Sequence, residues 1–179
     1  MERAYKGTSI EVIRGDITKV SGVDAVALGA DESLYLDSGV CKAIHKIAGP
    51  KLLEEIRAIG GASYGEAVIT DAYEAPFKGI VHAAVPKWDG GDKGELATVA
   101  KCYVSIFAKT SGRGLRSVAV PSLGTGAYHY PVDLAIETAF NAARGFIDEN
   151  VGKLDKISWV LFDEETYDAY LNALNSLEF

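Results

Sequence analysis

Short apolar runs and longer stretches with helical periodicity alternate along the chain. Val118 to Val120 is a short apolar run typical of a strand buried on both faces, and Pro121 ends it because proline has no N–H for a sheet ladder. Residues 122–126 are small or able to take a positive φ, and apolar residues recur at helical spacing from about Pro131. This stretch predicts a strand, a glycine-containing loop and a helix in succession.

The same patterns predict the remaining helices and strands. Strands are expected at 10–14, 23–30, 66–70, 79–85, 118–120 and 156–162. Helices are expected at 40–49, 50–59, 95–110 and 132–150, and a last helix begins after the capping sequence at 163–166. Because strands alternate with helices, we expect an α/β fold with a largely parallel sheet between helical layers and with ligands at the carboxyl ends of its strands.

The composition indicates one globular domain. The chain has 179 residues, of which 48% are hydrophobic and 24% are charged, so it is long enough to bury a substantial core. The N-terminus lacks an apolar signal-peptide region, and the longest apolar runs are only a few residues. We therefore expect a cytoplasmic protein that does not enter a membrane.

The charge argues against a nucleic-acid partner. The formal net charge is −7, and the 18 basic residues are scattered rather than clustered, so no basic run could release counterions from DNA or RNA. An acidic protein can still bind an anionic ligand when neutral backbone N–H groups make the contacts.

Cysteines and histidines predict neither a disulfide framework nor a metal site. Cys41 and Cys102 are too few and too far apart for either, and they are expected to be small buried residues in a reducing compartment. His45, His82 and His129 fall on a helix, a strand and a loop, so they form no ligand set. No metal and no cofactor are predicted.

Two loops between a strand and a helix are candidates for phosphate binding. In the 122–131 loop, glycines would let backbone N–H groups approach a phosphate near the positive end of a helix dipole. Gly124 and Gly126 are equally consistent with a loop that needs glycine merely to turn. The second loop, 31–39, follows the 23–30 strand and leads into a helix that Ser38 or Gly39 can cap.

Asp16 and Trp88 each allow two interpretations. Asp16 follows Gly15 after the first predicted strand, where an aspartate commonly bonds its own backbone in a turn, but it could also accept a hydrogen bond from an exocyclic amine such as adenine N6. Trp88 lies in a polar, glycine-rich loop at 86–94, and it could cover a ligand or pin the loop to the surface.

Taken in order, four motifs make most of the chain, roughly residues 10 to 174, resemble the macrodomain family of ADP-ribose-binding modules. The motifs are Gly15-Asp16-Ile17-Thr18, Gly39-Val40 with Ala43-Ile44, Gly65-Glu66-Ala67 with Thr70, and Pro121-Ser122-Leu123-Gly124-Thr125-Gly126-Ala127-Tyr128 with Pro131. The resemblance implies a three-layer α/β/α sandwich around a mixed, mostly parallel sheet, built as a single domain over residues 1–179.

The resemblance also implies a ligand-binding role for each motif. Asp16 would bond the adenine amino group, and the Ile17 N–H would contact the same ring. Gly39 and Val40 would supply amides from the first phosphate loop, and Tyr128 would border the distal ribose. The second phosphate loop, which would grip the diphosphate, consists of Ser122, Gly124, Thr125, Gly126, Ala127 and Tyr128.

The chain departs from the family pattern where hydrolysis would take place. The usual Asn-x-Ala-Asn segment is Leu28-Gly29-Ala30-Asp31 here, so the asparagine beside the distal ribose is replaced by Asp31. The aspartate of one hydrolytic subgroup is replaced by Cys41, and the usual glycine run is reduced to 35–39. Asp31 is the best remaining catalytic candidate, as a base toward water or a ribose hydroxyl, although it could equally be a solvated loop acid or a cap.

Three functions remain open from the sequence. The first is a module that binds free ADP-ribose or ADP-ribosyl groups on proteins, and the second is a hydrolase that releases mono-ADP-ribose or acts on a related ester. The third is a dinucleotide-dependent oxidoreductase that uses Gly124-Thr125-Gly126. It is disfavoured because the sequence lacks Gly-x-Gly-x-x-Gly and the acidic residue about 20 positions further on.

Overall fold

The computed structural model describes residues 1–178. Its strands are β1 (Glu2–Tyr5), β2 (Thr8–Arg14), β3 (Ala25–Ala30), β4 (Ala67–Thr70), β5 (Gly79–Ala84), β6 (Ser117–Val120) and β7 (Lys156–Leu161). Its α-helices are α1 (Gly39–Ala48), α2 (Pro50–Ile59), α3 (Glu95–Gly112), α4 (Val132–Glu149) and α5 (Glu164–Ser176). A single 3-10 turn, Ile17–Lys19, follows β2.

The strands form one mixed sheet in the order β1-β2-β7-β6-β3-β5-β4. The pairs from β2 to β5 are parallel, whereas β1 pairs antiparallel with β2 and β4 pairs antiparallel with β5. The mostly parallel sheet agrees with the sequence prediction. Because the central strands are parallel, the loops after β2, β7, β6 and β3 all leave the sheet at the same edge.

Two helical layers cover the sheet and make the three-layer sandwich expected from the sequence. Side chains of β6 show the division: Val118 and Val120 pack into the core with α3, α4 and α5, and Ala119 packs into the core with α1 and α2. All three side chains are fully buried. Strands buried on both faces need uninterrupted apolar residues, which explains why this short run was recognisable in the sequence.

The helix boundaries follow from glycine and proline. Gly49, with φ of +87°, ends α1, and Pro50 occupies the first turn of α2, where its missing N–H costs no hydrogen bond. Gly60 then ends α2 in the left-handed conformation. The two helices can therefore follow each other without a linker and cover one face of the sheet.

The structure corrects the sequence prediction at several element ends. β1 was not predicted, because a four-residue edge strand of mixed polarity has no periodic signal. β7 ends at Leu161, so Phe162 lies outside the strand. Leu134 fits the apolar spacing that predicts α4, but it is 39% exposed, because the buried face of this helix runs through Ala135 and Ala139. In residues 1–178, none of the helices has the length and apolar character needed to cross a membrane.

Candidate functional site

Two adjoining cavities lie at the carboxyl edge of the sheet. One, of about 400 Å³, is named here the Asp16 cavity, and the other, of about 220 Å³, the Tyr128 cavity, each after a residue in its wall. The residues shared by both walls are Gly39, Val40, Pro121, Ser122 and Gly126. The two candidate phosphate loops thus meet at the junction of the cavities.

The loop between β6 and α4 presents backbone donors at this junction. Within residues 1–178, the N–H groups of Gly124, Gly126, Ala127 and Tyr128 donate no hydrogen bond to another residue. The loop is instead closed by carbonyl acceptors, since His129 N donates to Gly126 O at 3.1 Å and Tyr130 N donates to Gly124 O at 3.0 Å. Neighbouring N–H groups that lack internal acceptors form an anion-binding concavity.

The N-terminus of α1 faces the same junction. Gly39 has a φ of +56° and begins the helix, with Ser38 before it in an extended conformation whose side chain makes no cap hydrogen bond. The N–H groups of the first helical turn have no acceptor inside the helix, and the helix dipole places positive potential at this end. The structure therefore brings Gly39 and Val40 together with Ser122 and Gly126 in the walls of the same two cavities.

Asp16 lies in the wall of the Asp16 cavity next to Ile17. Its Oδ1 accepts hydrogen bonds from Thr18 Oγ1 at 2.7 Å and from Thr18 N at 2.9 Å. The side-chain hydrogen bond and then the backbone hydrogen bond of Thr18 lower the pKa of Asp16. Both interpretations of Asp16 are thus compatible: one oxygen holds the turn, while the ionised carboxylate still has an acceptor oxygen, Oδ2, for a ligand.

Phe162 is an aromatic residue of this cavity that the sequence analysis missed. It follows β7 directly, is 81% exposed and lines the Asp16 cavity with Asp163 and Thr166. A large apolar side chain with this exposure, at the mouth of a cleft, offers a flat surface for a planar ring. The available signal was an aromatic residue at the carboxyl end of a strand, immediately before the Asp163 helix cap.

Asp31 is outside the walls of both cavities. It follows β3, where its Oδ1 accepts a hydrogen bond from Ser33 N at 2.8 Å and its carbonyl accepts one from Leu34 N at 2.9 Å. Burial and then the charge of Asp31 raise the pKa of the Tyr128 phenol. The structure therefore gives Asp31 a local role, in which it holds the turn that follows β3.

Cys41 is a packing residue of the first loop. It is 1% exposed, and burial raises the pKa of its thiol to about 11. Its sulfur accepts a hydrogen bond from Leu36 N at 3.3 Å, which holds the loop that leads into α1. A thiol with this pKa stays protonated near neutral pH and lacks the thiolate needed for nucleophilic attack.

Trp88 pins its loop to the surface. Its ring packs against Tyr130 at a centroid distance of 5.2 Å, and its backbone N–H donates to the Tyr128 carbonyl at 3.3 Å. Tyr130 in turn donates from its hydroxyl to Pro86 O at 2.6 Å. The 86–94 loop thus supports the segment that carries Tyr128, and Trp88 is not among the residues that line either cavity.

No group of three or more His, Cys, Asp and Glu side chains in residues 1–178 is arranged to hold a metal ion. His82 is fully buried and His45 is half-buried, with their ring centroids 6.1 Å apart, and His129 is exposed at a φ of +60°. Burial lowers the pKa of His45 and that of His82, the latter to about 3, so both side chains are neutral at physiological pH.

The fold and the cleft define a three-layer α/β protein that keeps its ligand-facing loops at the carboxyl edge of a mixed sheet. The Macro domain family model matches residues 28–139, and the chain therefore belongs to the macrodomain family.

Relatives and solved structures agree with this family. The chain is 38% identical to O-acetyl-ADP-ribose deacetylase 1 of Pantoea vagans over 93% of this chain and 98% of the relative. Its structure is similar to the Oceanobacillus iheyensis macrodomain with ADP, with a TM-score of 0.90, 30% identity and coverage of 98% of this chain and 94% of that one. It is also similar to the Trypanosoma brucei macrodomain in complex with ADP-ribose, with a TM-score of 0.84, 31% identity and coverage of 92% and 68%. These comparisons give no support to the oxidoreductase alternative.

Proposed function

We propose that this chain binds ADP-ribose, either free or attached to a protein, across the two cavities. The observation that carries the proposal is the set of backbone N–H groups without internal acceptors at Gly124, Gly126, Ala127 and Tyr128, opposite the N-terminus of α1. Such an arrangement suits a diphosphate, and the cavities on either side give room for one group at each end. Relatives named for ADP-ribose or its ester support the same ligand.

The adenine would occupy the Asp16 cavity. The free oxygen of the ionised Asp16 carboxylate would accept a hydrogen bond from the exocyclic amine, the Ile17 N–H would contact the ring, and Phe162 would stack on its face. Hypoxanthine has a carbonyl oxygen in place of that amine. This oxygen and the Asp16 carboxylate would face each other as two hydrogen-bond acceptors with no proton between them. The cavity should therefore prefer adenine.

The diphosphate would lie at the junction. A diphosphate carries about two negative charges, and here Gly39, Val40 and the 122–128 loop would neutralise them through neutral donors and two helix N-termini. Direct contact with N–H groups explains how a chain of net charge −7 can bind an anion without a lysine or arginine cluster. The distal ribose would then enter the Tyr128 cavity, between Gly29, Leu36 and Tyr128.

Hydrolysis of an ADP-ribosyl linkage or ester is a second candidate function, favoured by the deacetylase relative and by Asp31, whose charge raises the pKa of the Tyr128 phenol. In this mechanism Asp31 orients a water and accepts its proton while the water oxygen bonds to the anomeric carbon or to the ester carbonyl carbon. The bond from that carbon to the modified side chain or to the ribose oxygen breaks, and the leaving atom takes up the proton. The cytoplasm is the expected location, since the two buried cysteines suit a reducing compartment.

Titration calorimetry with ADP-ribose tests binding. Gly126 lines both cavities, and a Cβ at this position meets nothing within 4 Å. Gly126→Glu should abolish binding because it adds a negative charge beside the diphosphate, whereas the similarly sized but neutral Gly126→Gln should retain part of the affinity. Equal affinity of the wild type and Gly126→Glu would place the ligand elsewhere.

Incubation with an ADP-ribosylated protein and with O-acetyl-ADP-ribose tests hydrolysis separately. Release of product by the wild type should be lost in Asp31→Asn, which keeps the size and one acceptor oxygen of the side chain but cannot take a proton. Release at the same rate by the wild type and by Asp31→Asn would exclude the Asp31 mechanism. If the wild type releases product from neither substrate, binding is left as the function.

A further inference from the structure

His82 is buried in the core between β5 and α1. Its side chain points to the same face of the strand as those of Ile80 and Ala84, which belong to the core that α1 and α2 cover. From the helix side its neighbour is His45, whose ring centroid is 6.1 Å away. The helix that begins with Gly39, at the junction of the cavities, is therefore packed against a buried histidine.

One ring nitrogen of His82 has a hydrogen-bond partner and the other has none. Nε2 is 2.9 Å from Thr70 Oγ1, which is also 3.0 Å from the Asp71 carbonyl oxygen. Nδ1 is buried and, within residues 1–178, makes no hydrogen bond with the protein. On the neighbouring strands the register partners Leu28 and Val68 are apolar. Nδ1 is thus unpartnered in either tautomer of the ring.

Protonation of His82 would place an unpaired charge in this core. The imidazolium ion donates from both nitrogens, but in the folded protein only Nε2 has an acceptor within reach. Burying a charge that lacks a partner is strongly unfavourable, and so is burying a donor that lacks an acceptor. Separation of α1 from the sheet removes both penalties, because water can then reach the ring.

The surroundings of His82 do not offset such a charge. In the part of the chain that the structure describes, His45 is the one titratable group whose charge acts on His82, and it opposes protonation. His45 itself is affected by burial alone, and the ring that meets it edge-on at 5.0 Å is the phenol of Tyr35. The carboxylates of Asp71 after β4 and Glu55 in α2 affect the pKa of neither histidine.

These contacts set the sign of the pH dependence. Burial and then the charge of His45 lower the pKa of His82 to about 3 in the folded protein, whereas a histidine in an unfolded chain has a pKa of about 6.5. Below about pH 6.5 the opened chain therefore binds more protons than the folded chain. The packing of α1 is at full strength above that pH and weakens as pH falls toward 3.

We propose that His82 is an acid sensor whose protonation releases α1 from the sheet and thereby dismantles the ligand site. Gly39 and Val40, in the first turn of this helix, line both cavities, so the junction depends on the position of α1. The opening itself depends only on the fold. Its effect on ADP-ribose rests on the proposed function.

Urea unfolding of the full chain as a function of pH tests the sensor. His82→Gln keeps a polar group that can reach Thr70 Oγ1 but cannot take a proton. Below about pH 6, the unfolding equilibrium constant of the wild type should rise about tenfold more per pH unit than that of the variant, which corresponds to one proton. The carboxylates are common to both proteins, so the difference belongs to His82.

His129→Asn is the matched control for loss of a histidine. This side chain is exposed, and asparagine tolerates its positive φ. The unfolding constant of His129→Asn should therefore keep the pH dependence of the wild type. A pH dependence of His82→Gln that equals that of the wild type would overturn the proposal.

Amide hydrogen exchange locates the opening. Between pH 7 and pH 5 the protection factors of α1 amides should fall about twentyfold to thirtyfold more in the wild type than in His82→Gln. Protection of α4, on the other face of the sheet, should change alike in the two proteins. An equal loss of protection in α1 and α4 would mean that acid unfolds the whole protein, and it would overturn the proposed release of α1.

A measurement on the wild type decides the case in which thermal melts show that His82→Gln does not fold. The NMR shifts of the His82 ring should stay those of a neutral imidazole in the folded protein down to about pH 5, and they should change only together with the loss of α1 protection. Titration of this ring near pH 6.5 in the folded protein would show that the core accommodates the charge, and the proposal would be wrong.

ADP-ribose should move the opening to lower pH. At about 100 times Kd it favours the closed protein about a hundredfold, so the midpoint should fall by about two pH units if one proton drives the opening. An unmoved midpoint in a protein that binds ADP-ribose at pH 7.5 would reject the link between α1 and the ligand. If ADP-ribose does not bind at pH 7.5, the proposed function is wrong, while the unfolding and exchange experiments, which need no ligand, still decide the role of His82.

Discussion

Gly124 and Gly126 are two residues apart in one loop, but their surroundings differ. Gly124 has a φ of +87°, and a Cβ there would lie 2.5 Å from the ring of Tyr130, so both the backbone conformation and the close packing require glycine. Gly126 has an ordinary φ and open space at its Cβ position. The two glycines therefore serve the fold and the cavity, respectively, although the sequence presents them as one Gly-x-Gly motif.

Alanine substitutions should separate these roles. Gly124→Ala should lower the free energy of unfolding by about 2–4 kcal/mol, because it combines a left-handed conformation with overpacking against Tyr130. Gly126→Ala should change it by less than about 0.5 kcal/mol. Urea unfolding measures both, and similar losses in the two variants would contradict the assignment.

Asp16 should determine the preference for the base. The wild type should bind ADP-ribose at least about tenfold more tightly than the hypoxanthine analogue, because only adenine offers an amine to the carboxylate. Asp16→Ala should weaken the binding of ADP-ribose and remove most of the preference for adenine over hypoxanthine. A preference that survives in the variant would show that another group reads the base. Asp163→Ala, at the neighbouring acid of the same cavity, is the control for a general effect of charge.

At the scale of elements, the 86–94 loop depends on the first residue of α3. The Glu95 carboxylate is 3% exposed and accepts hydrogen bonds from the N–H groups of Lys93 at 2.7 Å, Gly91 at 2.8 Å and Asp89 at 2.9 Å. The loop that it holds supports Tyr128 and Tyr130 through Trp88 and Pro86. One buried carboxylate therefore orders a loop that has no regular secondary structure.

Glu95 should make loop stability depend on pH. Burial opposes ionisation of this group, but the N–H donors outweigh burial and lower its pKa to about 2. Because the folded-state pKa is below the unfolded value of about 4.3, the stabilisation is fully present above that value and is lost as pH falls toward 2. The unfolding free energy of Glu95→Gln should therefore be lower than that of the wild type at pH 7 and depend less on pH between about 4.5 and 2.

Hydrogen exchange of the Asp89, Gly91 and Lys93 amides gives a local measure of the same effect. Exchange should be faster in Glu95→Gln than in the wild type at pH 7, since an amide group has one acceptor oxygen where the carboxylate has two. Asp92→Asn is the matched control, because it neutralises an exposed acid in the same loop. If amide exchange is equally fast in Glu95→Gln and Asp92→Asn, Glu95 acts only through its negative charge and not through its hydrogen bonds to the loop.

For the whole molecule, the two cavities link elements that are distant in sequence. The Asp16 cavity is formed by the ends of β2, β6 and β7 and by the start of α1, and the Tyr128 cavity adds the end of β3. A ligand that bridges both cavities would bind only the folded protein, because the loops of the site are brought together by the sheet. Binding should therefore stabilise the entire fold rather than one loop.

ADP-ribose should raise the melting temperature by mass action. At a concentration of about 100 times Kd the stabilisation is about 2.7 kcal/mol, which for a chain of this size corresponds to about 5–10 °C. The shift should grow with ligand concentration and be absent in Gly126→Glu. An equal shift in that variant would mean that the stabilisation does not come from the junction of the cavities.

The sequence by itself determined the order of most helices and strands, the mostly parallel sheet and the two loops that face each other. These features depend on local patterns: apolar runs, helical spacing, glycine and proline at element ends, and four motifs in order. The residues at the cavity junction, from Gly39 and Val40 to Ser122 and Gly126, were predictable for the same reason.

Only the tertiary structure decided how side chains from distant segments meet. It exposed Phe162 at the cavity, placed Asp31 outside both cavity walls and joined Tyr170 to Ser122, 48 positions away in sequence. It also paired β1 with β2, although β1 has no periodicity of its own. Contacts of this kind depend on which elements become neighbours when the sheet forms, and burial and hydrogen bonding at these residues follow from those neighbours rather than from the local sequence.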